Sequence, residues 1–128
     1  MSYQAQFKVK ATYMRGGTSK GTFFNIADLP KEAQEDTKKR DKLLQRIVGS
    51  PDVYKQQMDG MGGATSSTSK AILVGKSSVA NHDVDYYFCQ VAIDKDFVDM
   101  SGNCGNLSSA VGPFAIKEGL VDNVPENG

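Results

Sequence analysis

The segment from Ser101 to Leu120 constrains the fold more than any other part of the chain. It reads SGNCGNLSSAVGPFAIKEGL, and its residues are apolar or small on nearly every side until Lys117. Asn103 is a favourable helix N-cap and Gly119 a favourable stop, so the segment predicts a helix. A helix that is apolar around its circumference is typically buried inside a protein. Pro113 is expected to kink it or to mark a joint, because proline lacks a backbone donor.

The rest of the chain predicts two hairpins. The first joins a strand at residues 7–13 to a strand at 22–26 through the glycine-rich turn at 14–21. The second joins residues 70–75 to residues 84–93. These strands are too few to wrap a buried helix completely.

A helix is predicted between the hairpins, from Pro30 to about Val48, with Gly49 as its stop. The mixed charge run at residues 35–42 is expected to form its solvated face. Residues 56–69 have no periodicity and predict a long loop, which is either functional or disordered. The order of elements predicts an α+β fold dominated by antiparallel pairing.

Composition and charge restrict the class of protein. The chain of 128 residues carries 15 basic and 15 acidic residues, which argues against a nucleic-acid partner. No apolar run approaches the ~18 residues of a membrane span, and the N-terminus lacks a signal-peptide core. Cys89 and Cys104 are the two cysteines and have no metal-binding spacing. We therefore expect a cytoplasmic protein with free thiols and no metal site.

Two residues have the chemistry of proton transfer. Cys104 lies at the start of the predicted helix, where exposed N–H groups bind anions and lower the pKa of a thiol. Lys70 lies where the loop enters an apolar strand, and partial desolvation there would make its amine available as a base. The alternatives are a small buried thiol and a strand-end lysine that reaches water.

A carboxylate cradle is a further hypothesis for the first turn. Arg15 suits bidentate carboxylate recognition, and the hydroxyls of Thr18 and Ser19 with the glycine backbone would complete it. An incidental arginine in a hairpin turn is the alternative. Ser67-Thr68-Ser69-Lys70 also matches the S-x-x-K pattern of penicillin-recognising hydrolases. That motif opens a helix in those enzymes, whereas the residues after Lys70 predict a strand.

Four blocks follow one another in order along the sequence: MRGGTSKGTFF (14–24), IVGSPD (47–52), GMGGATSSTSKAILV (60–74) and HDVDYYFCQVAIDKDFVDMSGNCGNLSSAVGPFAI (82–116). Together they resemble the PrpF proteins, a 2-methylaconitate isomerase family within the wider diaminopimelate epimerase and proline racemase fold. The resemblance implies two similar halves, each a curved, mostly antiparallel sheet around a central hydrophobic helix. Residues 1–128 would then be the N-terminal half-domain of a two-domain isomerase.

The resemblance also implies the activity. It predicts isomerisation of 2-methylaconitate, by cis-trans change or double-bond shift, in the 2-methylcitrate cycle of propionate breakdown, without any cofactor. Lys70 and Cys104 fall on the catalytic positions. The small-molecule partner is a tricarboxylate, and an aconitase-type methylcitrate dehydratase is the functional partner. The expected substrate-binding residues are Arg15, Thr18, Ser19, Ser66, Ser67, Thr68, Ser69, Gly105 and Asn106.

Members of that family are much longer than this chain. We therefore expect the second half to come from a missing C-terminal part or from another chain, and the isolated chain to have little or no activity. An epimerase or racemase of the same fold acting on another carboxylate is the alternative enzyme. A carboxylate-binding module without turnover is the alternative outside enzymes.

Overall fold

The computed structural model describes residues 6–127, which form five strands, three α-helices and two short 3₁₀ turns at Ile26–Asp28 and Ser66–Thr68. The strands are β1 (Thr12–Gly16), β2 (Ser19–Asn25), β3 (Lys70–Lys76), β4 (Val84–Val91) and β5 (Val98–Asp99). The helices are α1 (Lys31–Glu35), α2 (Thr37–Val48) and α3 (Gly105–Lys117). The predicted α+β class is confirmed.

The five strands form one sheet in the order β1-β2-β3-β4-β5. Three of the four neighbouring pairs are antiparallel, and β2 with β3 is the parallel pair. Both predicted hairpins are therefore present. Sequence reasoning did not find the parallel pair, in which Gly21 lies opposite Lys70. This register aligns the first residues of β2 and β3 at one edge of the fold.

The sheet lies between two helical layers. Phe23, Ile72 and Val74 face α3 and pack with its residues Leu107 and Phe114. The alternate strand residues turn to the other face, which the α1–α2 layer covers; they include Phe24, Ala71, Leu73, Cys89 and Val91. This period-2 alternation divides the hydrophobic core into two parts and decides which polar side chains of each strand lie on the α3 side.

The first hairpin differs from the prediction at both ends. β1 begins at Thr12 rather than at residue 7, because Val9 packs with the α1–α2 layer instead of pairing with β2. Most of the predicted turn at 14–21 is strand, because β1 extends to Gly16 and β2 begins at Ser19. The turn itself is reduced to Gly17 and Thr18, with Gly17 in the left-handed region at φ 53°.

The single helix predicted from Pro30 to Val48 is two helices. Asp36 has extended backbone angles, and its carboxylate accepts hydrogen bonds from the N–H groups of Lys38 and Lys39. This N-cap starts a new helix inside the charge run, because a capping carboxylate satisfies donors that have no partner in the helix. The predicted stop is confirmed, since Gly49 is the left-handed C-cap with φ 95°.

α3 begins one residue later than predicted, since the cap is Cys104 and not Asn103. The helix continues through Pro113 without interruption. Leu107, Ala110, Val111, Phe114 and Ala115 are buried against the sheet. Its other side is exposed, including Gly112, Pro113 and Ile116, so the sheet covers only one side of this apolar helix. No helix within residues 6–127 has the length and apolarity that a membrane crossing requires.

Candidate active site

Ser19, Lys70 and Cys104 meet where β2 and β3 begin and α3 is capped. The Lys70 Nζ donates to the Cys104 Sγ at 3.2 Å and to the Ser19 Oγ at 3.0 Å. The Ser19 Oγ lies 3.8 Å from the Cys104 Sγ. Three polar side chains that are far apart in sequence therefore form one compact cluster.

Strand alternation explains why these side chains meet. Lys70 lies on the same face of β3 as Ile72 and Val74, which pack against α3. Ser19 lies likewise on the face of β2 that carries Phe23. The Phe88 ring on β4 lies 5.8 Å from the Lys70 Nζ, within the range of a cation–π contact. The Lys70 side chain therefore extends from the sheet toward the start of α3, and its ammonium group lies there.

Cys104 uses its sulfur as a helix cap. The Leu107 N–H donates to the Sγ at 3.4 Å, and the cysteine residue as a whole is only 8% exposed. Burial raises the pKa of Cys104, but the hydrogen bonds that the sulfur makes with Leu107, Lys70 and Ser19, together with the charge of Lys70, outweigh it, so its pKa is lowered from the ordinary 9.0. A lowered pKa increases the fraction of the thiolate, the form that accepts a proton or acts as nucleophile.

Two backbone donors beside the thiol are free to bind an anion. Within residues 6–127, the N–H groups of Gly105 and Asn106 have no hydrogen-bond partner, as expected for the first turn of a helix. Both residues are exposed, and a Cβ on Gly105 would meet no atom within 4 Å. The open space and the positive end of the helix suit a carboxylate.

The glycine turn packs directly against this helix start. A Cβ on Gly16 would lie 2.4 Å from the Asn106 carbonyl oxygen, so only glycine allows β1 to approach so closely. The Asn106 side-chain amide donates to the Thr18 Oγ1 at 3.1 Å. Thr18 therefore lies at the edge of the amide site.

Two predicted binding residues of the first hairpin have different positions. Ser19 is 1% exposed and lies beneath the Lys70–Cys104 contact rather than on the surface. Arg15 is exposed and stands opposite Lys20, on the strand face that points away from α3. The structure brings Ser19 into the cluster and leaves Arg15 outside it.

The predicted loop residues Ser66 to Ser69 form the 3₁₀ turn and its end. The Ser69 hydroxyl is fully buried and donates to the Thr65 carbonyl and to the Gln57 Oε1. The Thr68 Oγ1 closes a capping box with Thr65. Ser66 is exposed, and Ser67 and Thr68 are half-buried. Since Lys70 begins a strand, the helical geometry of an S-x-x-K hydrolase is not present.

Sequence reasoning missed the residue that orders this loop. Gln57 is 1% exposed, and its amide donates to the Ser50 Oγ at 3.0 Å and accepts from the Ala64 N–H at 2.8 Å. The Asp52 carboxylate in turn accepts from the Gln57 N–H at 2.8 Å. A buried glutamine among small polar residues has no pattern that marks it, although Asp52 following Pro51 is a recognisable turn signal.

The second cysteine belongs to the core. Cys89 is fully buried, and burial raises its pKa to about 12. Both cysteines are free thiols, as predicted. In the part of the chain that the structure describes, no group of three or more His, Cys, Asp or Glu side chains is arranged to hold a metal ion.

Comparisons with known proteins show the family of the chain. The family described as PrpF protein matches residues 6–126. The 2-methyl-aconitate isomerase of Shewanella oneidensis is 63% identical over 128 residues, which cover 98% of this chain and 32% of that protein. The 2-methyl-aconitate isomerase of Cupriavidus necator is 61% identical over 130 residues, which cover 100% of this chain and 33% of that protein.

A solved structure shares the fold. The crystal structure of methylitaconate-delta-isomerase superposes with a TM-score of 0.81 at 49% identity, covering 91% of this chain and 28% of that chain. The chain spans about a third of the length of the curated relatives it matches. Because the family match extends over nearly all of the described residues, the chain belongs to the PrpF family and has the diaminopimelate epimerase-like fold that its sequence predicted.

Proposed function

We propose that this chain supplies the Lys70–Cys104 proton-transfer pair of a cofactor-independent isomerase that acts on 2-methylaconitate. The observation that carries the proposal is the 3.2 Å contact between the Lys70 Nζ and the Cys104 Sγ, beside the free amides of Gly105 and Asn106. The two relatives named 2-methyl-aconitate isomerase, at 63% and 61% identity, support the choice of substrate.

The reaction requires two proton transfers at carbon. Shifting or rotating the double bond of an unsaturated tricarboxylate begins with removal of a proton next to a conjugated carboxylate. The charge that develops spreads onto the carboxylate oxygens, and a proton is then returned to a carbon. A positioned base or acid contributes ~10²–10⁴-fold to such a step. The lowered pKa of Cys104 and the adjacent amine provide one acid and one base in contact.

The amides beside the thiol hold the carboxylate on which charge develops. Each donor that is aimed at such an oxygen is worth roughly 2.7–4 kcal/mol in the transition state. The N–H groups of Gly105 and Asn106 are donors of this kind, and Thr18 extends the site through its bond with the Asn106 side chain. Ser66 and Ser67 are left for the remaining carboxylates of the substrate, whereas Arg15 lies on the other face of the sheet.

The described residues cover one side of the site. Two observations support a second half that closes the substrate pocket. The outer side of α3 is exposed, and the chain spans about a third of the length of its relatives. This half lies on a further part of the protein or on another chain, and residues 1–128 alone have little or no activity. The protein works in the cytoplasm, in the 2-methylcitrate cycle, together with an aconitase-type methylcitrate dehydratase.

Hydrogen exchange at carbon tests the proposal. The complete enzyme is incubated with 2-methylaconitate in deuterated water, and both deuterium uptake and isomer ratio are followed by nuclear magnetic resonance. Lys70→Ala and Cys104→Ser are expected to lose exchange and isomerisation together. The matched controls are Lys76→Ala, at the far end of the same strand, and Cys89→Ala in the core; both are expected to exchange deuterium.

Each other outcome identifies a different function. Binding without deuterium uptake would indicate a carboxylate-binding module. If a chiral carboxylate is offered instead, inversion at its stereocentre with no movement of a double bond would indicate an epimerase or racemase. A fully active Lys70→Ala or Cys104→Ser enzyme would refute the role of that residue.

A further inference from the structure

The Lys70–Cys104 contact joins an amine to a reactive sulfur across 34 residues of sequence. The pKa of the Cys104 thiol is lowered, whereas that of Cys89 is raised to about 12 by burial. Oxidants attack the thiolate, so susceptibility follows thiolate character and exposure. Of the two cysteines, Cys104 is therefore the one that a small oxidant reaches as a reactive species.

We propose that Cys104 and Lys70 form a reversible covalent sulfur–nitrogen cross-link, a sulfenamide, when the thiol is oxidised by a hydroperoxide such as hydrogen peroxide. This is a modification site in its own right, and its formation does not depend on the proposed isomerase activity. Its consequence does, because the cross-link would occupy both proton-transfer groups and switch the enzyme off.

The chemistry takes place in two steps. The Cys104 thiolate attacks one oxygen of hydrogen peroxide, the O–O bond breaks, and the hydroxide that leaves takes a proton from the Lys70 ammonium group. The products are a sulfenic acid, water and a neutral Lys70 amine. The lone pair of the unprotonated Lys70 amine then attacks that sulfur, the S–O bond breaks, and the hydroxyl leaves as water with one amine proton. The protein loses two hydrogens in total, and the peroxide is reduced to two waters. Two molecules of a thiol reductant restore the amine and the thiol and become a disulfide.

Geometry favours this fate over further oxidation. Sulfenic acids condense with a nitrogen that is close by, whereas those without such a neighbour proceed to the irreversible sulfinic acid. The amine is already in contact at 3.2 Å, and the hydrogen bond to Ser19 keeps it there. A second molecule of peroxide has to diffuse to the sulfur from solution, whereas the amine is already beside it. The amine therefore reacts first and protects the sulfur.

Trypsin digestion makes the cross-link visible. Lys70 is the cleavage site between residues 56–70 and 71–76, and Cys104 lies in the fragment 96–117. After peroxide treatment of the complete folded protein and blocking of free thiols, we expect fragment 56–76, uncut at Lys70, joined to 96–117 with two hydrogens lost. Treatment with dithiothreitol should return the separate fragments and a free thiol at Cys104. Cys89 lies in the separate fragment 77–95 and serves as the internal control.

Two ways of removing the amine provide the test. Lys70→Arg keeps the charge but has no amine, so its Cys104 should accumulate a dimedone-reactive sulfenic acid and then the sulfinic acid. Reductive dimethylation of the folded wild-type protein removes both N–H groups of the amine without a mutation, and should have the same effect.

Contrary results are equally clear. If wild-type Cys104 reaches the sulfinic acid as fast as in Lys70→Arg, and no joined fragment forms, the proposal is wrong. A protein that forms the cross-link but exchanges no deuterium would support the modification site and refute the proposed isomerase activity. The two proposals can therefore fail independently.

Discussion

Replacing Gly16 with alanine is expected to separate β1 from the start of α3. The new Cβ would lie 2.4 Å from the Asn106 carbonyl oxygen and 2.9 Å from the Leu107 Cα. Ordinary contact begins at 3.4 Å, so the helix start must move by about 1 Å relative to the strand. Both neighbours are backbone atoms, and no side-chain rotation can relieve the overlap.

This displacement affects both stability and the thiol. Overpacking of this kind costs ~1–3 kcal/mol of unfolding free energy. Cys104 is two residues from Asn106, so a shift of the helix start changes the distance between the Lys70 Nζ and the Cys104 Sγ, now 3.2 Å. A lengthening of about 1 Å would exceed hydrogen-bond range, and the thiol would lose the donor that helps to lower its pKa.

Urea unfolding and thiol labelling measure the two effects on the chain of residues 1–128. We expect a lower urea midpoint for Gly16→Ala and slower alkylation of Cys104 by iodoacetamide at neutral pH. Gly112→Ala is the matched control, because a Cβ there meets no atom within 4 Å. In the middle of a helix it should stabilise by ~0.4–1 kcal/mol. An unchanged midpoint and unchanged alkylation in Gly16→Ala would show that the close approach of strand and helix is not needed.

Three further outcomes are expected. Because the pKa of Cys104 is lowered, its thiolate stabilises the fold fully above pH 9.0, and this stabilisation is lost as the pH falls through the folded pKa. Alkylation of Cys104 should therefore begin at a lower pH than alkylation of a free cysteine. In Lys70→Met, the pH at which alkylation begins should rise. Phe114→Ala removes a ring that is 1% exposed and lies 5.5 Å from the Phe23 ring, and should cost ~3–5 kcal/mol in urea unfolding. Asp36→Ala removes the cap of α2 and should cost ~1 kcal/mol, with reduced helical circular dichroism; an equal midpoint would mean that the cap is not needed.

The hairpins and the buried face of α3 could be predicted because local patterns determine them. A short apolar run marks β3, aromatic and β-branched residues mark β4, and Gly49 marks the end of α2. The split at Asp36 was missed because its charged neighbours read as one continuous helix face. The capping signal was present, however, because aspartate is among the residues that helix N-caps favour.

Other features depend on contacts between distant residues and cannot be read from local sequence. The parallel pairing of β2 with β3 sets Gly21 opposite Lys70 and has no local signal. The role of Cys104 as a helix cap appears only when the sulfur and the Leu107 N–H are both in place. Burial of Ser19 likewise follows from the packing of α3 onto the sheet. Resemblance to a family suggested Lys70 and Cys104, and the fold explains how 34 residues of separation become a 3.2 Å contact.

The position of a bound tricarboxylate in a crystal of the complete enzyme tests the central proposal most directly. With trans-aconitate as the probe, we expect one carboxylate on the N–H groups of Gly105 and Asn106. The Lys70 Nζ and the Cys104 Sγ should each lie roughly 3–3.5 Å from a carbon that gains or loses a proton. A ligand bound away from α3, or one that leaves the sulfur out of reach of every carbon, would contradict the account.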